Sequence, residues 1–345
     1  GCISLKLKRD YDKYLSVPEL TNDSFKKPVK EMVNDILKLY KEEIISKVSA
    51  IIDTGAFFKN FTNRQVAEAV LTVTLDKFEA ALYYDEDSNQ LEFVRKSGNS
   101  FTRGFLDTTD PDDITKATQA DLSKRFTFYD QRHITGSDIL QPKFAYALMT
   151  AGPRVLLRDI LQGTLRMRQF MTSQKVYLIT TEASRKFYYS KLSAKDDSPR
   201  LKVSDVLALG ALNEDEKQEH ENEKLAFAKI GVEVRAFVLD EISRILTSDS
   251  NPTVLNTKKN DIVALFECAK GIFLRIISES PLDWLHRKEK KNTVDTLHTF
   301  AIALLSPLEN LLKPKNNDSY KRFNVVKKRI GEMIDENRKY EKDSL

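Results

Sequence analysis

Between residues 49 and 181, short apolar runs alternate with stretches of helical periodicity, and few folds accommodate that alternation. Ala50 to Ile52, closed by the Asp53-Thr54-Gly55 turn, is joined by Ala80 to Tyr84, Leu91 to Val94, Phe126 to Tyr129, Tyr146 to Thr150 and Val176 to Thr180. Each has the length and residue types of a strand. Runs that stay apolar throughout belong to strands buried on both faces. Asp85 to Asn89 is a polar segment suited to a hairpin turn. Asn63 to Leu71 and Leu156 to Phe170 carry apolar residues at helical spacing. Residues 49–182 are therefore expected to form an α/β domain, a mostly parallel sheet with helices on both faces.

The flanks read differently. Residues 28–48 place Val29, Met32, Val33, Ile36, Leu37, Tyr40, Ile44 and Ile45 three and four apart, which predicts an amphipathic helix at the end of a connecting segment, 1–48. After Thr181 the strand signals stop. Val232 to Leu246, Asp261 to Ile277, Thr293 to Leu312 and Tyr320 to Tyr340 read as helices, with Pro252, Pro281, Pro307 and Pro314 at or near their breaks. Pro307 is expected to kink the third of them. Residues 183–345 are thus expected to be an all-α helical bundle, with Glu214 to Lys224 a solvated helix start.

Charge does little to narrow the function. The chain has 55 basic and 51 acidic side chains, a net charge of +4, which is no strong signal for nucleic acid. The cluster Arg287-Lys288-Glu289-Lys290-Lys291 and the basic face from Lys313 to Arg329 read first as solvated helix faces, and second as contacts for nucleic acid or an anionic membrane. Cys2 and Cys268 are the only cysteines, so a disulfide framework is excluded and a cytoplasmic setting is expected. No apolar stretch approaches the length of a membrane span. The chain begins with Gly, the expectation for a piece of a longer polypeptide.

One constellation carries chemistry. Asp130-Gln131-Arg132-His133 leads into Thr135-Gly136-Ser137-Asp138, and Gln162-Gly163-Thr164-Leu165-Arg166-Met167-Arg168 follows. This pairing resembles the second, RecA-like lobe of superfamily-two helicases and translocases, where a Gly-Thr-Asp or Gly-Ser-Asp turn precedes a Gln-x-x-Gly-Arg-x-x-Arg helix. With Ile51-Ile52-Asp53-Thr54-Gly55-Ala56 it resembles more closely a family of very large fungal and intracellular-bacterial proteins carrying a degenerate module of this kind. Members of that family are often labelled ubiquitin thioesterases by similarity. The resemblance implies a RecA-like sheet, ligand contacts from Gly136, Ser137, Asp138, Gln162 and Asp53, and catalytic contributions from Arg166, Arg168 and His133. Arg166 matches the first arginine of the pattern and would stabilise charge on a transferring phosphate. Leu165 and Gln169 depart from the pattern, and Arg168 is one residue out of register. On a helix that is a rotation of about 100°.

No Gly-x-x-x-x-Gly-Lys-Ser/Thr loop occurs in the 345 residues, so autonomous ATP hydrolysis is not expected. The isolated chain is expected to hold no cofactor and no metal, with ATP and Mg shared with a missing N-terminal lobe. Three functions follow: a helicase-like lobe completed by that partner, an inactive protein-interaction module docking partners through its helical region, for instance in a bacterial effector in the host cytosol, and a cysteine hydrolase of ubiquitin conjugates with His133 as base. Plainer roles stand beside these. Asp53 reads equally as a turn cap, Arg166 and Arg168 as ion-pair partners of Asp159 or Asp138, His133 as a structural hydrogen-bonder, and Cys268 as core.

Overall fold

A computed structural model describes residue 6 and residues 16–74, 77–98, 100–136, 138–193, 199–247, 259–260, 263–272, 274, 293–313 and 318–343. Eight strands, β1 (Glu19–Leu20), β2 (Val48–Ile52), β3 (Ala80–Tyr84), β4 (Leu91–Ser97), β5 (Ser100–Leu106), β6 (Arg125–Tyr129), β7 (Tyr146–Thr150) and β8 (Lys175–Thr181), form one sheet in the order β1-β8-β7-β2-β6-β3-β4-β5. The first six of that order run parallel, and β4 and β5 continue antiparallel at one edge. All five residues of β2 are buried, as a strand flanked by β6 and β7 and covered on both faces requires. The α/β expectation holds.

Helices α1 (Val29–Lys38), α2 (Glu42–Ile45), α3 (Asn63–Val73), α4 (Pro111–Thr118), α5 (Leu157–Thr164) and α6 (Glu182–Lys191) belong with the sheet. The alternation along β6 shows its two sides. Phe126 and Phe128 pack edge-on against Phe78 and Phe58, while Thr127 and Tyr129 face the amide of Gln141. Gln141 Nε2 donates to Thr127 Oγ1 at 2.8 Å, and its Oε1 accepts from Ser49 Oγ at 3.0 Å, so a buried polar chain is satisfied.

Local chemistry moved some boundaries. The helix expected over 28–48 is two, because Leu39 to Lys41 break it. α5 ends at Thr164 rather than Phe170, which leaves Arg166 and Arg168 in consecutive turns and not on a helix. α4 was hidden in the Asp- and Thr-rich stretch: Asp110 caps it by accepting from the Asp112 and Asp113 amides, and Pro111 occupies its first turn.

The chain divides into two units, 1–216 and 217–345. The α/β unit therefore takes in β1, α1 and α2 before residue 49, and α6 and the start of α7 (Val203–Thr247) after 182. β1 pairs with β8 through Glu19↔Thr180 and Leu20↔Thr181. The start of α7 supports α5, whose N-cap Leu156 has no side-chain acceptor to offer. Glu214 accepts from the Arg158 amide at 3.0 Å, and Asn213 Nδ2 donates to the Pro153 and Val155 carbonyls at 2.9 and 2.8 Å. Gly210 is needed there, since a Cβ would lie 2.9 Å from the Leu157 nitrogen.

The second unit holds the rest of α7, helical residues 263–272, α8 (Thr293–Leu312) and α9 (Asp318–Asp343), with a core including Phe227, Val234, Leu297, Leu304 and Phe323. α8 continues through Pro307. Lys327 pairs with Glu309, Arg329 with Glu233 and Arg322 with Asp240, so much of the basic face expected over 313–329 is neutralised. Pro252, Pro281, Pro314 and the cluster 287–291 lie outside the described residues. No helix among the described residues is long and apolar enough to cross a membrane.

Replacing Asn213 with Ala strands two carbonyls and frees the loop that starts α5. Urea denaturation of Asn213→Ala should show a loss of about 1–3 kcal/mol.

Candidate functional site

Parallel strands deliver loops to the carboxyl edge of a sheet, and ligands bind there when backbone and side chains converge. β2 is followed directly by Asp53, β6 by Asp130 and β3 by Asp85. Asp53 is 3% exposed, and its carboxylate accepts from the amides of Phe57 at 2.8 Å and Phe58 at 3.0 Å and from Thr150 Oγ1 at 2.6 Å. Thr150 also accepts from the Gly55 amide at 2.8 Å, and its carbonyl accepts from the Thr54 hydroxyl. Above this knot Gly55 and Gly152 touch; a Cβ on Gly55 would stand 2.6 Å from the Gly152 nitrogen. Asp53 is thus a turn cap that joins the ends of β2 and β7. Burial raises its carboxyl above the ordinary 3.8, opposed by the hydrogen bonds from Thr150, Phe58 and Phe57.

A cleft of about 230 Å³ opens beside it, lined by Lys59, Phe61, Glu86, Phe128, Asp130 and Arg132 among others. α3 begins here behind a capping box, Thr62 Oγ1 accepting from the Gln65 amide and Gln65 Oε1 from the Thr62 amide. Its N-terminus is the natural place for a ligand phosphate in a parallel α/β fold. The chain's own Glu86 sits there instead, accepting from the Asn63 amide, while Asn63 Nδ2 donates to the Tyr84 carbonyl at 2.7 Å. Lys59 and Glu86 carry no sequence signal for this place, because nothing local marks a loop residue that closes a distant helix, whereas Arg132 stands within the Asp130–His133 motif.

Asp138 and Arg168, thirty positions apart, meet in an ion pair at 2.8 Å, both exposed. Arg166 lies beside them and is only 8% exposed, and its Nε and Nη1 have no hydrogen-bond partner. Burial and the neighbouring Arg168 lower its pKa, while Tyr129, Asp138 and Tyr84 act the other way. Tyr129 is itself buried, its hydroxyl donating to the Ile139 carbonyl at 3.4 Å and held in the neutral form by burial. The turn and the arginine segment therefore do converge. They converge away from Asp53, however: Phe128 lines the cleft and Tyr129 neighbours Arg166, and adjacent residues of a strand point to opposite faces.

His133 is placed as a brace. Its Nδ1 bonds Asp130, its Nε2 lies 2.7 Å from Asn89 Oδ1, and its ring stacks on Tyr84 with centroids 4.2 Å apart at 7°. That ties the loop after β6 to the hairpin turn between β3 and β4. Gly136 adopts φ +79, with open space where a Cβ would be, so its backbone conformation rather than a close approach calls for glycine. Gln162 is exposed on α5, and Ser137 lies outside the described residues.

Cys268 sits half-buried with its thiol pushed up by burial, the wrong direction for a nucleophilic thiolate, and Cys2 lies outside the described residues. Among the described residues, no three His, Cys, Asp or Glu side chains gather as a metal site. No protein-family model, curated protein or solved structure matches the chain.

Because burial raises the Asp53 carboxyl, folding favours its protonated form more than the unfolded chain does. The stability it contributes is complete below pH 3.8 and is lost as pH rises through the folded value. The advantage of the wild type over Asp53→Ala, measured by urea denaturation at pH 4 and pH 7, should shrink at the higher pH and still total about 1–3 kcal/mol there, since two turn amides lose their acceptor.

Proposed function

We propose that residues 49–182 form a helicase-like second lobe, RecA-like in kind, that binds phosphate oxygens weakly by itself and takes part in nucleotide turnover only when a separate ATP-binding lobe completes the cleft. The orphaned guanidinium of Arg166 carries this reading. A buried cation with two guanidinium nitrogens lacking acceptors is costly, and an anionic oxygen is the partner that satisfies such donors best. The ion pair of Arg168 with Asp138 leaves Arg166 as the arginine available to a ligand. ATP at that position would supply the phosphate oxygens, with Arg166 holding one of them and the other lobe providing the phosphate cradle and the magnesium. Turnover by this chain alone is not part of the reading, since Glu86 fills the α3 N-terminus and no phosphate-binding glycine loop exists in the sequence. A cytoplasmic setting, including a host cytosol for a secreted effector, accords with its two cysteines.

The test exploits the cost of the orphan. Arg166→Met keeps the volume and removes the unsatisfied charge, so the variant should gain about 1–2 kcal/mol and melt about 2–8 °C higher. Millimolar ATP, ADP or pyrophosphate should raise the melting temperature of the wild type and not that of Arg166→Met. A destabilised variant that still responds to the ligands would refute the assignment.

One observation favours a protein-interaction role for the second unit. Leu225, Val232, Leu239 and Leu246, seven apart on α7, are each about half exposed, and that is the repeat with which helices pair. Pairing with a second copy of the chain would appear as a dimer in light scattering that Leu239→Glu reduces to monomer; a monomer at every concentration would dispose of this reading.

A further inference from the structure

The opposite rim of the sheet has a charge pattern of its own. Each of the parallel strands β8, β7, β2, β6 and β3 enters the sheet at or just after a lysine: Lys175, Lys143, Lys47, Lys124 and Lys77. Helices end at this rim, and cations near helix carboxyl termini are ordinary. Lys77 is explained that way, its ammonium donating to the Ile45 and Val48 carbonyls at 2.6 and 2.8 Å.

The other four are not. Among the described residues, Lys47, Lys124, Lys143 and Lys175 form no ion pair and no side-chain hydrogen bond. Register sets them in a row. Ala50 pairs with Thr127, which brings Lys47 level with Lys124, and Tyr146 pairs with both Val48 and Lys175. At a strand spacing of about 4.8 Å, the row crosses four neighbouring strands over about 14 Å. Aromatic rings are interleaved with it. Tyr146 has the ammonium of Lys47 at 5.4 Å and that of Lys175 at 5.7 Å from its centroid, and Phe144, 64% exposed, lies beside Lys143.

We propose that this amino-end rim binds single-stranded nucleic acid, with backbone phosphates along Lys47, Lys124, Lys143 and Lys175 and a base stacked on Phe144. A single file of unpaired cations matches a linear polyanion, whereas a membrane surface calls for charge spread over a face. An exposed ring within the file supplies the stacking platform that single strands use and that duplexes, with their bases already stacked, do not. The site lies on the other rim from Asp53 and Glu86 and does not depend on Arg166.

Fluorescence anisotropy of a labelled oligothymidylate with the full chain tests it. Binding should saturate at low salt and weaken as salt rises. Lys47→Ala/Lys143→Ala/Lys175→Ala should lose about tenfold or more in affinity, and its salt slope should fall by about 2, since each phosphate contact to a single strand contributes about 0.7. Phe144→Ala should weaken binding about fivefold or more with the slope unchanged, while Lys116→Ala, on α4 and paired with Asp113, should bind as the wild type does. No saturable binding at low salt, equal binding by a triple variant with an unaltered melting curve, or capture by phosphatidylserine vesicles without capture of the oligonucleotide would overturn the proposal.

Discussion

The structure depends on β2 being enclosed. A strand with parallel neighbours on both sides and apolar residues on both faces has its backbone satisfied only if β6 and β7 sit level with it. The knot of Asp53, Thr54 and Thr150 secures the far end of that arrangement, and Gly55 and Gly152 approach too closely there for either to carry a side chain. Asp53 and Glu86 thus occupy, with carboxylates of the chain itself, the turn amides and the helix end that a parallel α/β fold offers above its central strand, beside the open cleft.

The two rims of the sheet differ in chemistry. Acids gather where the parallel strands leave the sheet, in Asp53, Asp85 and Asp130, and lysines where they enter it. The first rim also carries the cations Lys59 and Arg132 at the cleft, and the second the acids Glu79 and Asp121, but among the described residues the lysine row is the part that meets no opposing charge in an ion pair. Arg166 belongs to neither rim's pattern. It is buried on the Tyr129 side of β6, near the exposed ion pair of Arg168 with Asp138, which contributes little stability itself.

Several side chains that draw attention in the sequence serve architecture. His133 stacks and bridges two loops, Asp53 caps a turn, and Glu214 caps α5. Leu161, Leu165, Met167 and Phe170 continue an apolar helical spacing to residue 170, but the chain leaves the helix at Thr164 and enters turns. β5 was invisible for the opposite reason: an edge strand mostly open to solvent needs no apolar signal.

The sequence by itself determined the α/β character, five of the parallel strands nearly to the residue, the α-helical remainder and the ordered motifs around Asp130, Asp138 and Arg166. These rest on periodicity and residue type, which are local. Only the tertiary structure decided that Arg168 takes Asp138, that Arg166 is left without a partner, that Glu86 fills a helix end, and that four lysines scattered from 47 to 175 form a row. Each of those depends on strand order and register, and pairing between distant segments leaves no periodic trace in the chain.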